Sequence, residues 1–169
     1  TLALFAMMRK IPGIMVTGSH IPDDRNGIKF FLPEGEITKR DELHIRTQQV
    51  EIPDNMFLDD GQLNEWLYPK WVETDRGDAT QMYYMRYTDA FSPGIFDGMR
   101  IGLYEHSAVG RELIGDLLES LGAQVMRLGR TMDFVSVDTE SLSPDVEQKV
   151  AHWAANCKLD AILSTDGDS

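Results

Sequence analysis

The sequence predicts an α/β fold in two units, each built around its own sheet with helices beside it. From residue 98 onward, three short apolar runs alternate with two segments of helical apolar spacing, which is typical of a βαβαβ unit with a parallel sheet. Before residue 91, the apolar runs are separated by turn-forming residues. The stretch FSPGIFDG, with one proline and two glycines, separates the two patterns. We therefore expect a domain over 1–90, a linker over 91–97 and a second domain over 98–169.

The first unit begins with a helical segment and continues with extended ones. Leu2 to Met8 suits a helix, which must end near Ile11 because that residue precedes a proline. Ile14 to Thr17 has the composition of a buried strand. Gly27 to Leu32, followed by the turn PEGE and by Ile37, indicates a second strand that turns back as a hairpin.

Two further helices are predicted in the first unit, on either side of a stretch without clear periodicity over 52–76. Thr38 is a suitable N-cap for a helix that extends to about Gln49, and Asp41 stands at the capping-box position. Asp78 to Ala90 carries aromatic and methionine side chains at helical spacing. For these side chains, core or interdomain packing is favoured over a cofactor-binding role.

The second unit has three predicted strands, RIGLY, AQVMRL and DAILS, with a helix in each interval. The apolar face of the first helix comprises Val109, Leu113, Ile114, Leu117, Leu118 and Leu121. Gly122 ends that helix, as glycine commonly does. Ser143 and Pro144 begin the second helix as its N-cap and first residue.

Composition and charge restrict the partners. The chain has 28 acidic and 16 basic residues and a formal net charge of −12, which argues against a nucleic acid or an anionic membrane as partner. The apolar run LALFAMM is too short to span a bilayer. The single cysteine, Cys157, fits a reducing compartment, so a cytoplasmic location is expected. Because the chain opens inside a predicted helix and closes in the loop STDGDS, we expect it to be a piece of a longer protein.

Two aspartates directly follow the last predicted strand, in the stretch TDGDS. Open α/β folds place ligands at the carboxyl edge of the sheet, and Asp166 and Asp168 are expected there. Two carboxylates separated by Gly167 can face one hard cation such as Mg²⁺. The alternative is an ordinary Asp-Gly turn, and on this stretch alone the turn is favoured.

A serine and a histidine follow the first predicted strand, in the stretch TGSHIP. Ser19 is a candidate nucleophile, although serine needs a base or a metal to activate it. His20 is adjacent in sequence, and such a pair is more commonly part of a plain loop. Lys29 lies ten residues beyond Ser19 and could neutralise a phosphate or transfer a proton. A solvated strand lysine is the alternative.

The remaining candidates are assigned structural roles. EHSAVG has features of a phosphate-binding turn, but an ordinary helix cap at Ser107 is favoured. His44, His106 and His152 have no ligand-like partner at fixed spacing. We expect each of these histidines on a helix or loop surface.

Taken together, these stretches resemble the α-D-phosphohexomutase family, the phosphomannomutases and phosphoglucomutases. That family has a serine loop of the form TASHNP, then NGxK, then a metal loop DGDGDR. The positions that match are Thr17, Ser19, His20, Pro22, Asn26, Gly27, Lys29, Asp166, Gly167 and Asp168. Departures are Gly18 for the usual Ala, Ile21 for the usual Asn, and Ser169 for the usual Gly. LLESLGAQV is similar to the opening of the family's second domain.

The resemblance implies two α/β domains of phosphoglucomutase type, each with a mixed or mostly parallel sheet flanked by helices. It implies an isomerase that moves a phosphoryl group between O6 and O1 of a hexose phosphate, mannose or glucose, through a hexose 1,6-bisphosphate. Ser19 is then carried as phosphoserine, and Mg²⁺ is held by Asp166, Asp168 and a Ser19 phosphate oxygen. Lys29 serves as a cation or acid–base group, and His20 orients the loop.

The family has four domains, and the third and fourth read the sugar and hold its phosphate. We therefore expect this chain alone to be inactive. Two alternatives stay open: a non-catalytic module that binds a phosphosugar or a metal, and a phosphatase-like hydrolase in which water takes the phosphoryl group.

Overall fold

The computed structural model describes residues 1–18, 24–64, 76–139 and 141–168 of the chain, with the backbone alone at residue 76. The first helix, α1, spans Leu2–Arg9. It is followed by strands β1 (Gly13–Thr17), β2 (Gly27–Leu32) and β3 (Gly35–Glu36). The three strands form one sheet in the order β1-β2-β3, with both pairings antiparallel. The predicted helix, strand and hairpin are therefore confirmed.

Only one face of this first sheet is covered by α1. The helix packs on β1 and β2, and a side chain at Gly13 would lie 3.0 Å from Leu2 of α1. Side chains alternate between the two faces of a strand. Ile14, Val16 and Ile28 accordingly point the other way and are exposed.

Two more helices complete the first half of the chain. Helix α2 spans Lys39–Arg46 and begins with the predicted capping box. The Thr38 backbone N–H donates to an Asp41 carboxylate oxygen at 2.9 Å, and the Asp41 N–H donates to Thr38 Oγ1 at 3.4 Å. The helix ends three residues before the expected Gln49, since its C-cap is Thr47. Helix α3 spans Arg76–Ala90 and contacts both α1 and the first helix of the second half.

The second half is the predicted βαβαβ unit. It comprises β4 (Arg100–Tyr104), α4 (Arg111–Ser120), β5 (Gln124–Leu128), α5 (Pro144–Asn156) and β6 (Ala161–Ser164). The strands form a parallel sheet in the order β5-β4-β6. The central strand β4 pairs with a strand on each side. It contributes Ile101, Leu103 and Tyr104 to the buried core.

Local signals start and stop the helices of this unit. Gly122, with φ of 100°, follows the end of α4, where the N–H of Ala123 donates to the Leu118 carbonyl at 3.0 Å and that of Gly122 donates to Glu119 at 3.0 Å. These two bonds form a Schellman motif, which satisfies carbonyls that the helix leaves open. The N-cap Ser143 accepts from the Val146 N–H and Pro144 is the first helical residue, as predicted.

The helix α4 begins later than its apolar pattern predicts. Val109 was predicted to begin the buried face, but it precedes the helix and is 77% exposed. The Val109 N–H donates to the Gly167 carbonyl at 3.0 Å, so its backbone bonds to the loop after β6 and not within the helix. The prediction for Val109 is therefore wrong, while Leu117, Leu118 and Leu121 are buried as expected.

The predicted α/β class is confirmed, with two sheets flanked by helices. The first sheet differs from the mixed or mostly parallel arrangement expected, since its three described strands are all antiparallel. The two sheets lie on either side of the 91–97 segment, and the division into domains there stays a prediction. In the described part of the chain, no helix has the length and apolar character needed to cross a membrane.

Candidate functional site

The predicted functional residues belong to two loops, the serine loop after β1 and the aspartate loop after β6. Strands β4 and β6 are neighbours and run parallel, so the loops at 105–110 and 165–168 emerge side by side. The residues after β1 belong to the predicted serine loop. The question is whether the end of β1 reaches the loop after β6.

A short hydrogen bond connects them. Thr17, the last residue of β1, donates from Oγ1 to Asp168 Oδ2 at 2.6 Å. The Lys29 ammonium on β2 lies 3.7 Å from the same carboxylate oxygen. The Asp168 side chain is 15% exposed and that of Lys29 is 48% exposed. A largely buried carboxylate therefore has a hydroxyl donor and a solvated cation beside it, both from the first sheet.

These contacts line a cleft between the two halves. It encloses about 440 Å³. From the first half, Thr17, Gly18 and Asn26 line it, and from the second half, Ser107 and Asp168. Clefts where a few polar groups converge are where small ligands usually bind.

Ser19 and His20 lie outside the described residues, so their predicted roles stay predictions. Their neighbours Thr17 and Gly18 line the cleft, as does Arg25 on the other side of that gap. Arg25 is paired with the adjacent carboxylate of Asp24, whose Oδ1 lies 2.8 Å from Arg25 Nε. The hydrogen bond from Arg25 lowers the pKa of Asp24, which keeps that carboxyl ionised.

The aspartate loop offers the donor atoms of the predicted magnesium site. Asp166 and Asp168 supply carboxylate oxygens one residue apart. Among the described residues, no group of three or more His, Cys, Asp or Glu side chains is placed to hold a metal. Mg²⁺ commonly takes only one or two carboxylates, together with phosphate oxygens and water. The pair therefore fits Mg²⁺ in donor chemistry when a phosphate completes the site.

The loop after β4 corrects two predictions. His106 was expected at the surface, but it is fully buried, with Nε2 2.8 Å from the Thr165 carbonyl oxygen. Ser107 was expected to cap a helix, but the N-cap of α4 is Gly110. Ser107 Oγ instead accepts from the Val135 N–H at 2.9 Å. His44 and His152 are exposed, as predicted.

A cluster of charged side chains, Glu105, Glu112, Arg127 and Arg130, holds the start of this loop. Glu105 is 1% exposed and accepts from Arg127 at 2.9 Å and from Arg130 Nε at 2.6 Å. The hydrogen bond from Arg130 lowers the pKa of the Glu105 carboxyl more than burial raises it, and Arg127 adds to the lowering. Both arginines also contact Glu112 of α4. The first residue of the loop is therefore fixed to both β5 and α4.

Three residues of the site were missed from the sequence. Thr17 was matched only as part of the serine-loop pattern, His106 was assigned to the surface, and Val109 to a helix face. A histidine directly after a buried strand, within EHSAVG, was the available signal for His106. No local signal could show that Thr17 and Asp168, 151 positions apart, are in contact.

Comparison with known proteins gives one family match and several individual relatives. A sequence model of the family described as phosphoglucomutase/phosphomannomutase, alpha/beta/alpha domain I, matches residues 1–54. That range contains β1, β2 and the serine-loop pattern between them.

Individual relatives match nearly the whole chain. A phosphomannomutase of Salmonella muenchen is 44% identical over 167 residues, which cover 99% of this chain and 32% of that protein. A phosphomannomutase of Sinorhizobium fredii is 40% identical over 99% of this chain and 34% of that protein. A phosphoglucosamine mutase of Bdellovibrio bacteriovorus is 28% identical over 96% of this chain and 34% of that protein. The chain spans about a third of the length of these relatives. It belongs to the α-D-phosphohexomutase family, as its serine-loop and aspartate-loop patterns predicted.

Proposed function

We propose that this chain is the part of a phosphohexomutase that carries the transferred phosphoryl group and its magnesium ion. The whole enzyme is an isomerase that moves a phosphoryl group between O6 and O1 of a mannose or glucose phosphate. The observation that carries the proposal is the 2.6 Å hydrogen bond from Thr17 Oγ1 to Asp168 Oδ2. It supports a shared site because Thr17 leads into the serine loop and Asp168 belongs to the aspartate loop.

In this proposal Ser19 is the phosphoryl carrier. The bond from phosphorus to Ser19 Oγ breaks as phosphorus bonds to a sugar hydroxyl oxygen. The proton of that hydroxyl ends on Ser19 Oγ, which leaves as a free serine hydroxyl. The hexose 1,6-bisphosphate then turns round, and its other phosphoryl group returns to Ser19 Oγ. Phosphoryl transfer depends mainly on positioning and on charge neutralisation, both of which a cleft between two rigid sheets can supply.

The first sheet supplies the proposed cation and the loop that holds the serine. Lys29 stands 3.7 Å from Asp168 Oδ2, close enough to face a phosphoryl group held in the same cleft. There it neutralises charge on the transferring oxygens or exchanges the hydroxyl proton. His20 orients the serine loop.

Mg²⁺ is the proposed cofactor, held by Asp166, Asp168 and a phosphate oxygen on Ser19. When bound, it withdraws negative charge from the group in transfer. A two-carboxylate set with a phosphate is a typical environment for this ion. Thr17 and Lys29 both contact Oδ2 of Asp168, and the carboxylate has a second oxygen that can face the ion.

The proposal includes a division into two domains at 91–97 and a cytoplasmic location. Separate sheets on either side of that segment support the division. The single Cys157 supports a reducing compartment. The proposed partners are a hexose phosphate and its 1,6-bisphosphate, with no nucleic acid or membrane partner.

Phosphoryl uptake by the chain tests this function. After incubation with glucose 1,6-bisphosphate and Mg²⁺, intact mass and peptide mapping should show a gain of one phosphate at Ser19. Ser19→Ala should gain none, and Asp168→Asn should gain markedly less. Binding of the sugar phosphate without any phosphate uptake by the wild-type chain would indicate a non-catalytic module. Release of inorganic phosphate in step with loss of bisphosphate would indicate a hydrolase.

A further inference from the structure

His106 is a fully buried side chain to which the proposed mechanism gives no part. Its exposed fraction is 0%, and it lies directly after Glu105 at the end of β4. Its Nδ1 has no hydrogen-bond partner among the described residues. Its backbone has φ of 31°, a region that residues other than glycine seldom adopt. A buried polar ring held in such a conformation calls for a specific reason.

We propose that His106 is a positioning residue for the aspartate loop. Its Nε2–H donates to the Thr165 carbonyl oxygen and fixes the backbone that presents Asp166 and Asp168. This inference rests on the proposed function, because it concerns the loop to which we assign the magnesium ion.

The partner atom determines which ring nitrogen carries the proton. A carbonyl oxygen can only accept, so Nε2, which lies 2.8 Å from the Thr165 oxygen, is the donor. In the neutral ring Nδ1 then bears a lone pair. His106 therefore acts as a single directed donor, and that donor points at the aspartate loop.

The aspartate loop is anchored at alternate carbonyls. His106 holds the carbonyl of Thr165, and the Val109 N–H holds that of Gly167 at 3.0 Å. Each anchored residue immediately precedes one of the two aspartates. The anchor from Val109 is a backbone group, which every residue except proline supplies, whereas the anchor at Thr165 depends on the histidine ring.

The backbone and the ring of His106 are both held by further contacts. The His106 carbonyl accepts from the Thr131 N–H at 3.1 Å and from Arg111 Nη1 at 3.0 Å. The ring packs edge-on against Tyr104, with centroids 5.2 Å apart. The loop after β5 and the helix α4 thus hold the backbone of His106, and Tyr104 at the end of β4 packs against its ring. Outer groups held in this way commonly orient the residues that bind a metal.

Among the described residues, one other group contacts the Thr165 carbonyl oxygen. Ser164 Oγ lies 3.3 Å from it but is nearer to the Tyr104 carbonyl, at 3.1 Å. Within the described part of the chain, removing the histidine donor leaves this carbonyl with one longer contact, from Ser164 Oγ. We therefore expect the loop to loosen when the donor is lost, and to stay ordered when another N–H replaces it.

A pair of variants separates the donor from the mere volume of the ring. His106→Gln keeps a side-chain N–H at similar reach, whereas His106→Leu keeps similar bulk without a donor. Without metal, amide hydrogen exchange at residues 166–168 should be at least tenfold faster in the Leu variant and close to wild type in the Gln variant. Mn²⁺ titrated into the chain and followed by electron paramagnetic resonance should bind about 10–100-fold more weakly to the Leu variant.

The two readouts separate this inference from the proposed function. Equal exchange at residues 166–168 in His106→Leu and wild type would overturn the role of His106. Undiminished Mn²⁺ binding by Asp168→Asn, or none by wild type, would overturn the metal assignment, while the exchange result would still decide the role of His106. If the Leu variant does not fold, nitrogen-15 spectra of the wild-type His106 ring show which ring nitrogen carries the proton. A protected Nε2 proton is expected, and an Nδ1–H tautomer contradicts the inference.

Discussion

Glu105 illustrates how much can depend on one carboxylate beneath a functional loop. It has almost no exposed surface and accepts hydrogen bonds from Arg127 and Arg130. A buried charge is tolerable only when it is paired and hydrogen-bonded. Glu112 contacts the same two arginines from the surface, with 61% of its side chain exposed. The two glutamates therefore form a matched pair that differs mainly in burial.

We predict that Glu105→Gln lowers the free energy of unfolding by about 1–3 kcal/mol at pH 7. The Glu105 carboxylate accepts three hydrogen bonds from the two arginines, whereas the amide is uncharged and offers them only one acceptor oxygen. Glu112→Gln, the exposed control, should cost less than about 1 kcal/mol. Urea unfolding followed by circular dichroism measures both. Equal costs for the two variants would show that burial of Glu105 does not matter.

The contribution of Glu105 should depend on pH with a definite sign. Its pKa is lowered in the folded chain, chiefly by Arg130, so folding favours the ionised form. The stabilisation is then complete above the unfolded pKa of about 4.3 and is lost as pH falls through the lower folded pKa. We expect the stability difference between wild type and Glu105→Gln to be constant from pH 7 to 5 and to shrink below about pH 4. Unfolding titrations across that range check it.

Thr17→Val should weaken the connection between the two halves. Valine has the shape of threonine without the hydroxyl, so it removes the donor to Asp168 Oδ2 and little else. A hydrogen bond to a charged group contributes about 1.5–3 kcal/mol to stability, and we expect the free energy of unfolding to fall by an amount in that range. Thr47→Val is the control, since the Thr47 hydroxyl donates to the Leu43 and His44 carbonyls of its own helix and has no partner from the other half among the described residues. Thermal unfolding of the three chains gives the comparison, and similar midpoints would contradict the predicted role.

At the scale of elements, the sequence predicts the second half better than the first. The strands and helices from Arg100 to Ser164 follow from apolar periodicity and from caps such as Ser143 and Gly122, which act locally. The first sheet is harder, because its short strands carry isoleucine and valine on an exposed face as well as a covered one. Because both faces of the sheet carry apolar side chains, their alternation along a strand cannot tell which face α1 covers and which is exposed.

The loops after strands are where local reasoning fails. Ser107 resembles an N-cap in sequence, yet its hydroxyl accepts from Val135, a residue that comes 28 positions later. His106 resembles a loop histidine, yet it is fully buried and its ring bonds to the Thr165 carbonyl at the end of the neighbouring strand. In both cases the partner is chosen by the parallel sheet, which places these loops side by side. Tertiary contacts of that kind leave no periodic trace in the sequence.

The capping box of α2 offers a test of a local signal that was predicted correctly. Thr38→Ala removes the side-chain oxygen that accepts from the Asp41 N–H, and such caps contribute about 1 kcal/mol. Amide exchange in the first turn of α2 should be about fivefold faster, while that of α4 is unchanged. Thr38→Ser, which keeps a capping hydroxyl, should restore slow exchange. Fraying of both helices would instead indicate global destabilisation.

At the scale of the whole molecule, the candidate site lies where two sheets meet. Sequence patterns predict site roles for the serine loop, Lys29 and the aspartate pair, because the family's patterns occupy short stretches of sequence. The resemblance implied that the serine loop and the aspartate loop meet at one Mg²⁺, but the particular contact between Thr17 and Asp168 depends on how the two halves pack. The cleft of about 440 Å³ is a property of that packing.

We predict that the chain alone shows no sustained conversion of mannose 1-phosphate or glucose 1-phosphate to the 6-phosphate. It spans about a third of its relatives, and holding the sugar in register with the donor phosphate contributes orders of magnitude in rate. A coupled assay of 6-phosphate formation, with the bisphosphate and Mg²⁺ present, measures it. A full-length relative serves as the positive control, and steady turnover by the 169-residue chain would contradict the proposed division of labour.

The hydrogen bond between Thr17 and Asp168 also sets an order of events in biosynthesis. Its two ends are 151 positions apart. Ribosomes add about 5–20 residues per second, so Thr17 is made roughly 8–30 s before its partner. In that interval β1 can pair with β2, because those strands are close in sequence, and β4 can pair with β5 later. Both sheets can therefore begin to form before Asp168 is made, and the cleft can close around a ligand only after that residue has been added.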